Sequence, residues 1–334
     1  MKFRGIEICC PHCRGGLREQ RSDALICTAC GREFPVLLGI PDLRVFPDPY
    51  IGFEEDRAKA AKLGEYFRDF DFEGFVDFYY ANTSVVPPQH ARLYKRGLLA
   101  APARADDWLE SWEASTGDGR RGALLDVGCG TAPLLVAAKK YELRAGVDIA
   151  LRWLVVGKKR LADAGLDLPL ICACAEALPF RDECFDRVFA DSALEHLKDQ
   201  RQGLSEARRV LRSGGWLFLA TPNRFSLGPD PQTGVWAGGW LPERWTAAIV
   251  RRAGGIPPQR SLLSVWRLRR LLREARFEQI QTALPGIPAR QRALFSPLTR
   301  LLIGVYDLLR RLPITKHALY LVGPLLLATA RRKE

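Results

Sequence analysis

At 334 residues and 37.4 kDa, with 47% hydrophobic and 26% charged residues, the chain has an ordinary globular composition and enough length for one large core plus a smaller module. The net charge of +12 is concentrated: residues 244–334 hold 18 Lys and Arg against 4 acids, and the preceding residues hold 32 against 34. A basic last quarter suits nucleic acid, anionic lipid or a phosphorylated substrate, whereas a membrane-spanning helix is excluded, because no run approaches ~18 apolar residues and the nearest, 317–330, contains Gly-Pro.

The opening MKFRGIEICC lacks the apolar stretch of a secretory signal, so the nine cysteines are expected to be reduced and the protein cytoplasmic. CPHC and CTAC supply two C-x-x-C pairs, Cys10/Cys13 and Cys27/Cys30, with 13 residues between them. Four thiolates at this spacing fit one tetrahedral zinc ion and leave it no open position, which predicts a structural zinc centre. Cys9 is the alternative to Cys10 as a ligand, and His12 reads as a loop residue. With FPVLLGIPDLR behind it, the segment resembles the small zinc-ribbon proteins that activate tRNA and translation-factor methyltransferases. It is expected to form a zinc-ribbon domain over residues 1–45.

Two prolines in RVFPDPYIG mark a boundary. Residues 46–120 follow as a helical linker or lid, with aromatics from Tyr66 to Tyr80 at helical spacing that suit a core or a pocket wall. From Ala123 the pattern alternates: strand 123–129, helix 131–141, strand 144–150, helix 151–164, strands 168–175 and 185–191, helix 201–211, strand 215–222. Such alternation implies a parallel sheet covered on both faces, with a ligand crevice at the carboxyl ends of the strands.

The first glycine turn, in LLDVGCGTAP, has Asp126 just ahead of Gly128 and Gly130, and Pro133 where a dinucleotide fingerprint places its third glycine. A pyrophosphate at this helix start would be repelled by Asp126. A ligand carrying an ammonium and a sulfonium would be attracted. Asp148, twenty residues past Gly128, is placed to accept hydrogen bonds from ribose hydroxyls. These segments, with GVDIA, ACAEALPF, FADSALEHL, RSGGWLFLATPN and LRRLLREARFEQI, resemble the successive motifs of the class I S-adenosylmethionine-dependent methyltransferases, and within them the ubiquinone and menaquinone branch.

The resemblance implies a seven-stranded Rossmann-like α/β sheet over residues 121–334, with insertions at 224–260 and 288–316. It further implies that Asp126, Gly128 and Gly130 hold the methionine moiety of the cofactor, that Asp148 takes the ribose, that Ala175 and Glu176 border the adenine, and that Asp191 and Ser192 line the methyl-donor site; Cys129 and Ile149, beside these residues in the chain, are further cofactor-binding candidates. Cys174 stands where many relatives have Asp. Glu195 and His196 are the candidates for a base acting on the acceptor, or else residues of a helix start. Asn223 is a candidate to orient an acceptor oxygen, or a turn former.

Trp236, Trp240 and Trp245 in the first insertion are expected to stack a ligand or to cluster together. Helix 265–275 and strands 278–284 and 319–331 complete the sheet. Residues 290–313 read as a basic amphipathic helix, which suits peripheral contact with the inner face of a membrane or the covering of a domain. The expected function is methyl transfer to a small-molecule or lipid-linked acceptor. RNA methylation is the alternative, and a non-catalytic scaffold binding S-adenosylmethionine is a third reading.

Overall fold

A computed structural model describes residues 1–83, 88–117, 122–228, 230, 233–286, 292 and 297–333. The first 41 residues form short antiparallel strands. A hairpin of β1 (Lys2–Phe3) and β2 (Ile6–Glu7) precedes β3 (Leu17–Arg21), β4 (Ala24–Cys27), β5 (Glu33–Leu37) and β6 (Ile40–Pro41), which pair in sequence order. Three helices follow, α1 (Phe53–Glu65), α2 (Phe72–Ala81) and α3 (Pro88–Thr116). Glu54, Glu55 and Asp56 crowd the first turn of α1, where the helix dipole favours acids, and the Asp71 carboxylate caps α2 by accepting from the Gly74 amide at 2.8 Å.

The remaining elements are β7 (Ala123–Val127), α4 (Pro133–Ala137), β8 (Leu143–Asp148), α5 (Leu151–Asp163), β9 (Leu170–Cys172), β10 (Phe185–Asp191), α6 (Gln200–Val210), β11 (Leu211–Pro222), α7 (Glu243–Arg252), α8 (Val265–Glu274), β12 (Phe277–Ala283), α9 (Pro297–Leu309), α10 (Pro313–Val322) and β13 (Leu325–Arg332). Seven of these strands make one sheet in the order β12-β13-β11-β10-β7-β8-β9. β13 alone runs antiparallel to its neighbours. This is the seven-stranded sheet expected of a class I methyltransferase. The chain runs outward from β7 to β9, then returns to β10 on the other side of β7, so a crevice opens between the ends of β7 and β10.

Apolar residues alternate to the two faces of the sheet and feed two cores. On one face Trp112 of α3 packs over Phe189 and Phe218, with ring centres 4.8 and 5.3 Å away. At the β9 edge the zinc-ribbon segment continues the sheet. Asp42 pairs with Cys172 in parallel register, and the Leu43 amide donates to the Cys172 carbonyl at 2.7 Å. The edge of β9 is thereby covered.

Some expected boundaries differ. The first helix after the glycine turn is five residues, not the span 131–141, because Ala132 has φ +58° and Pro133 then opens the helix. Residues 319–322 belong to α10 rather than to the last strand, and Pro324, which cannot continue a helix, sets the boundary. Of the basic helix expected over 290–313, α9 covers 297–309, and residues 290, 291 and 293–296 lie outside the described residues.

Candidate functional site

The four predicted thiols converge. The Sγ atoms of Cys10, Cys13, Cys27 and Cys30 lie within 4.8 Å of one another. The closest approaches are Cys13 to Cys27 at 3.5 Å and Cys10 to Cys30 at 3.8 Å. Burial raises the Cys27 thiol, but the amides of Cys30 and Ala29, 3.5 and 3.4 Å from its sulfur, help bring it down to about 6 and favour the thiolate a metal needs. The donor set fits tetrahedral zinc. Cys9 is buried apart from this group, with its amide bonded to the Pro179 carbonyl, and His12 is exposed against the Phe34 ring. The choice between Cys9 and Cys10 thus falls to Cys10.

At the carboxyl ends of the parallel strands lies a cavity of about 540 Å³. Gly128, Asp148, Ile149, Ala175, Glu176, Ser192 and His196, all candidates from the sequence, line it. Gly128 is required twice over: its φ is +77°, and a Cβ there would stand 2.6 Å from that of Ala193. Asp148 braces the turn, accepting from the Gly130 amide and the Ala150 amide at 2.8 Å each. Glu176 accepts from the amides of Lys198 and Asp199 at 2.9 and 3.4 Å.

Asp126, Cys129, Gly130 and Asp191 are not on the wall. Asp126 and Cys129 are buried behind the turn, and Asp191, at the exposed end of β10, accepts from the Ser192 hydroxyl at 3.0 Å. Burial pushes Asp126 well above the usual carboxylate range, and the charges of Asp191 and Asp148 push it further. Three acids gathered at one glycine turn favour a cation as ligand.

Of the two base candidates, His196 borders the cavity, with Nδ1 3.3 Å from the Gln259 carbonyl. Burial holds it below its ordinary pKa, so the ring is neutral at pH 7. Glu195 is buried beneath it, accepts from the Thr221 hydroxyl at 2.9 Å, and is raised to about 7 by burial. Asn223 is also buried and serves the fold: its Nδ2 donates to the carbonyls of Tyr320, Leu321 and Gly323 at 2.9–3.1 Å. The roof of the cavity comes from the lead-in, through Phe46, Tyr50, Phe78 and Tyr79. The aromatic run divides between roof and core, Phe75 being fully buried. Trp236, Trp240 and Trp245 neither line the cavity nor cluster together among the described residues; all three are exposed, and Trp240 packs on Phe225.

A buried ion network went unread in the sequence. Arg44, just past β6, binds Asp42 at 2.7 Å and Asp56 at 2.7 Å and donates to the Ile149 carbonyl at 3.0 Å. Asp56 of α1 accepts from the Leu151 amide at 2.9 Å and from Arg152 at 2.8 Å, capping α5, whose own N-cap is Ala150 and offers no side chain. Gly157 lets α5 approach the turn, since a Cβ there would meet the Gly130 carbonyl at 3.0 Å. In the sequence Asp42-x-Arg44 and the acidic run Glu54-Glu55-Asp56 read as ordinary surface charge, and nothing marks Asp56 out from its two neighbours.

Residues 125–219 match the methyltransferase domain family, and residues 8–37 match the Trm112p-like protein family. The chain is 41% identical over 103 residues to the ubiquinone/menaquinone biosynthesis C-methyltransferase UbiE of Bordetella avium, covering 29% of this chain and 39% of that protein. It is 36% identical over 101 residues to the methyltransferase GfsG of Streptomyces halstedii, covering 29% and 36%. The chain thus spans about two fifths of the length of these curated relatives. Among solved structures, an S-adenosylmethionine-dependent methyltransferase of Thermotoga maritima aligns at 18% identity with a TM-score of 0.45, over 78% of this chain and 98% of the other. Phosphoethanolamine N-methyltransferase 2 of Haemonchus contortus aligns at 18% identity with a TM-score of 0.43, over 66% and 51%. One polypeptide thus carries both a segment that matches the Trm112p-like family and a segment that matches the methyltransferase domain family.

Proposed function

We propose that the protein is an S-adenosylmethionine-dependent methyltransferase acting on a small or lipid-linked acceptor. The observation that carries this reading is one cavity lined both by Gly128 of the glycine turn, Asp148 and Glu176 and by the aromatic side chains of the lead-in, so that donor and acceptor share one space. When bound, the cofactor supplies a methyl group on a positively charged sulfur. Gly128, Asp148, Ile149, Ala175 and Glu176 hold it, and the carboxylates of Asp148 on the wall and of Asp126 buried beside it favour its charge. Phe46, Tyr50, Phe78 and Tyr79 exclude water and align the acceptor atom for an in-line displacement. His196 takes the proton the acceptor releases, its neutral ring held by the Gln259 carbonyl. Glu195 supports that loop from below.

Calorimetry tests the donor site. Wild type should prefer S-adenosylmethionine over the uncharged product thioether, increasingly so as pH rises and Asp126 ionises, and Asp126→Asn should flatten that preference. Equal affinity for both compounds at every pH would overturn the assignment of Asp126. Transfer of labelled methyl into fractionated cell extract then identifies the acceptor. The basic last quarter favours RNA as the second reading, and label recovered in RNA rather than in the lipid or small-molecule fraction would establish it.

A further inference from the structure

Helix α9 turns few of its apolar residues inward. Its inward side buries Ile303 and Asp307; Asp307 lies 2.7 Å from Arg310 and is also bonded to Arg292, and the Tyr306 hydroxyl donates to the Pro285 carbonyl at 2.8 Å. Its outward stripe is Leu298, Leu301, Leu302, Val305 and Leu308, which are 47–68% exposed. The first insertion also exposes apolar side chains, Trp236 at 66% and Trp245 at 57% together with Leu227 and Ile249.

Both groups stand at one end of the sheet. The insertion leaves β11 at Pro222, whose register partner is Leu325, the first residue of β13. The Leu227 amide donates to the Val322 carbonyl at the end of α10. This is the end where the cavity lies, and Ile256 and Pro258, just past α7, line it. Arg244, Arg251, Arg252, Arg300, Arg311 and Lys316 are exposed on the same elements.

We propose that this end of the molecule docks on an anionic lipid bilayer, with the α9 leucines and the insertion tryptophans seated at the headgroup boundary and the arginines against lipid phosphates. Such docking brings the cavity to the lipid surface. It deepens the reading of a lipid-linked acceptor and rests on that reading only for the acceptor's origin. The composition favours lipid over other occupants. Leucines offer no ring on which a base can stack, and a second copy would bring two basic rims together.

Sedimentation of the full chain with phosphatidylcholine vesicles, with and without about one third phosphatidylglycerol, tests the docking. Binding is expected to be about tenfold stronger to the anionic vesicles, with a blue shift of tryptophan emission. Leu301→Glu with Leu308→Glu should lose at least about tenfold of that binding, and Trp236→Ala with Trp245→Ala should lose most of the shift. Affinity for S-adenosylmethionine should stay unchanged in both variants, so failure of docking and failure of the donor site read out separately. The proposal falls if wild type ignores anionic lipid or the leucine variant binds as wild type does. It falls equally if these leucines prove to hold a dimer that Leu301→Glu dissociates, or if the same variants abolish binding to structured RNA instead.

Discussion

The two edges of the seven-stranded sheet are finished in opposite ways. At β9 the zinc-ribbon segment adds its own backbone to the edge and buries ions in the junction: Asp42, Arg44 and Asp56 have side chains fully withdrawn from solvent. Toward β12 and β13 the chain buries an acid beneath α9 and leaves the leucines outside. The first edge uses charge internally to fix a neighbouring domain against the cofactor cleft. The second keeps charge and apolar surface for something outside the chain. If this contrast is sound, disturbing the first edge should unfold or loosen the cleft, and disturbing the second should leave the fold alone.

The largest effect is expected from the zinc centre, because binding energy of structural zinc is folding energy, on the order of 10 kcal/mol for isolated small zinc domains. One zinc per chain should be found by elemental analysis. Cys13→Ala with Cys27→Ala should lose it and, through the Leu43 to Cys172 pairing and the Arg44 to Ile149 bond, weaken the donor site at least about tenfold. Donor affinity that survives loss of the metal would show that the ribbon is carried by the domain without supporting it.

Next comes Arg44→Met, which leaves Asp42 and Asp56 buried with only Arg57 and Arg152 to answer them. Truncating one partner of a buried ion network costs about 3 kcal/mol or more, which denaturant unfolding would register. A loss below about 1 kcal/mol would mean that Arg57 and Arg152 suffice. Because Arg44 also holds the Ile149 carbonyl, donor affinity should fall together with stability.

The sheet and the floor of the cleft were legible because they rest on local patterns: alternation of strand and helix, two knuckles at zinc spacing, and acids at fixed offsets from a glycine turn. The junction was not legible. Ile149 lies 105 residues from Arg44, and only the folded topology brings the Arg44–Asp56 pair to the start of α5. The tryptophans were seen but misplaced, since the sequence says that a Trp wants a partner and not whether that partner lies in the same molecule. Asn223 shows the same ambiguity, its polar side chain being consumed by the end of α10.

Between the edges, Glu195 gives a smaller, pH-dependent effect. Burial holds it at about 7 in the folded protein, above the ordinary carboxylate range. The protonated form therefore favours folding, and that contribution is complete in acid and lost as pH rises through about 7. Glu195→Gln cannot ionise. Measured from about pH 4.5 to 8, wild-type stability should fall by about 2.5–3 kcal/mol relative to this variant. Parallel curves for the two proteins would mean that Glu195 stays ionised in the fold, and would remove the reason for keeping it apart from the proton transfer at His196.

The smallest effect is the sharpest test of the contrast. Leu301 is 65% exposed and Leu308 61%, so cutting either to Ser removes little surface that folding had taken from water. Substitutions of that kind change stability by no more than about 0.5 kcal/mol, whereas a leucine in the packed interface of a domain-covering helix costs about 2–5 kcal/mol when truncated. Unfolding of Leu301→Ser in the absence of lipid should match wild type, and the same substitution should weaken vesicle binding. A loss of several kcal/mol without lipid would mean that the stripe of α9 is packed inside the protein, and the two edges would no longer differ in kind.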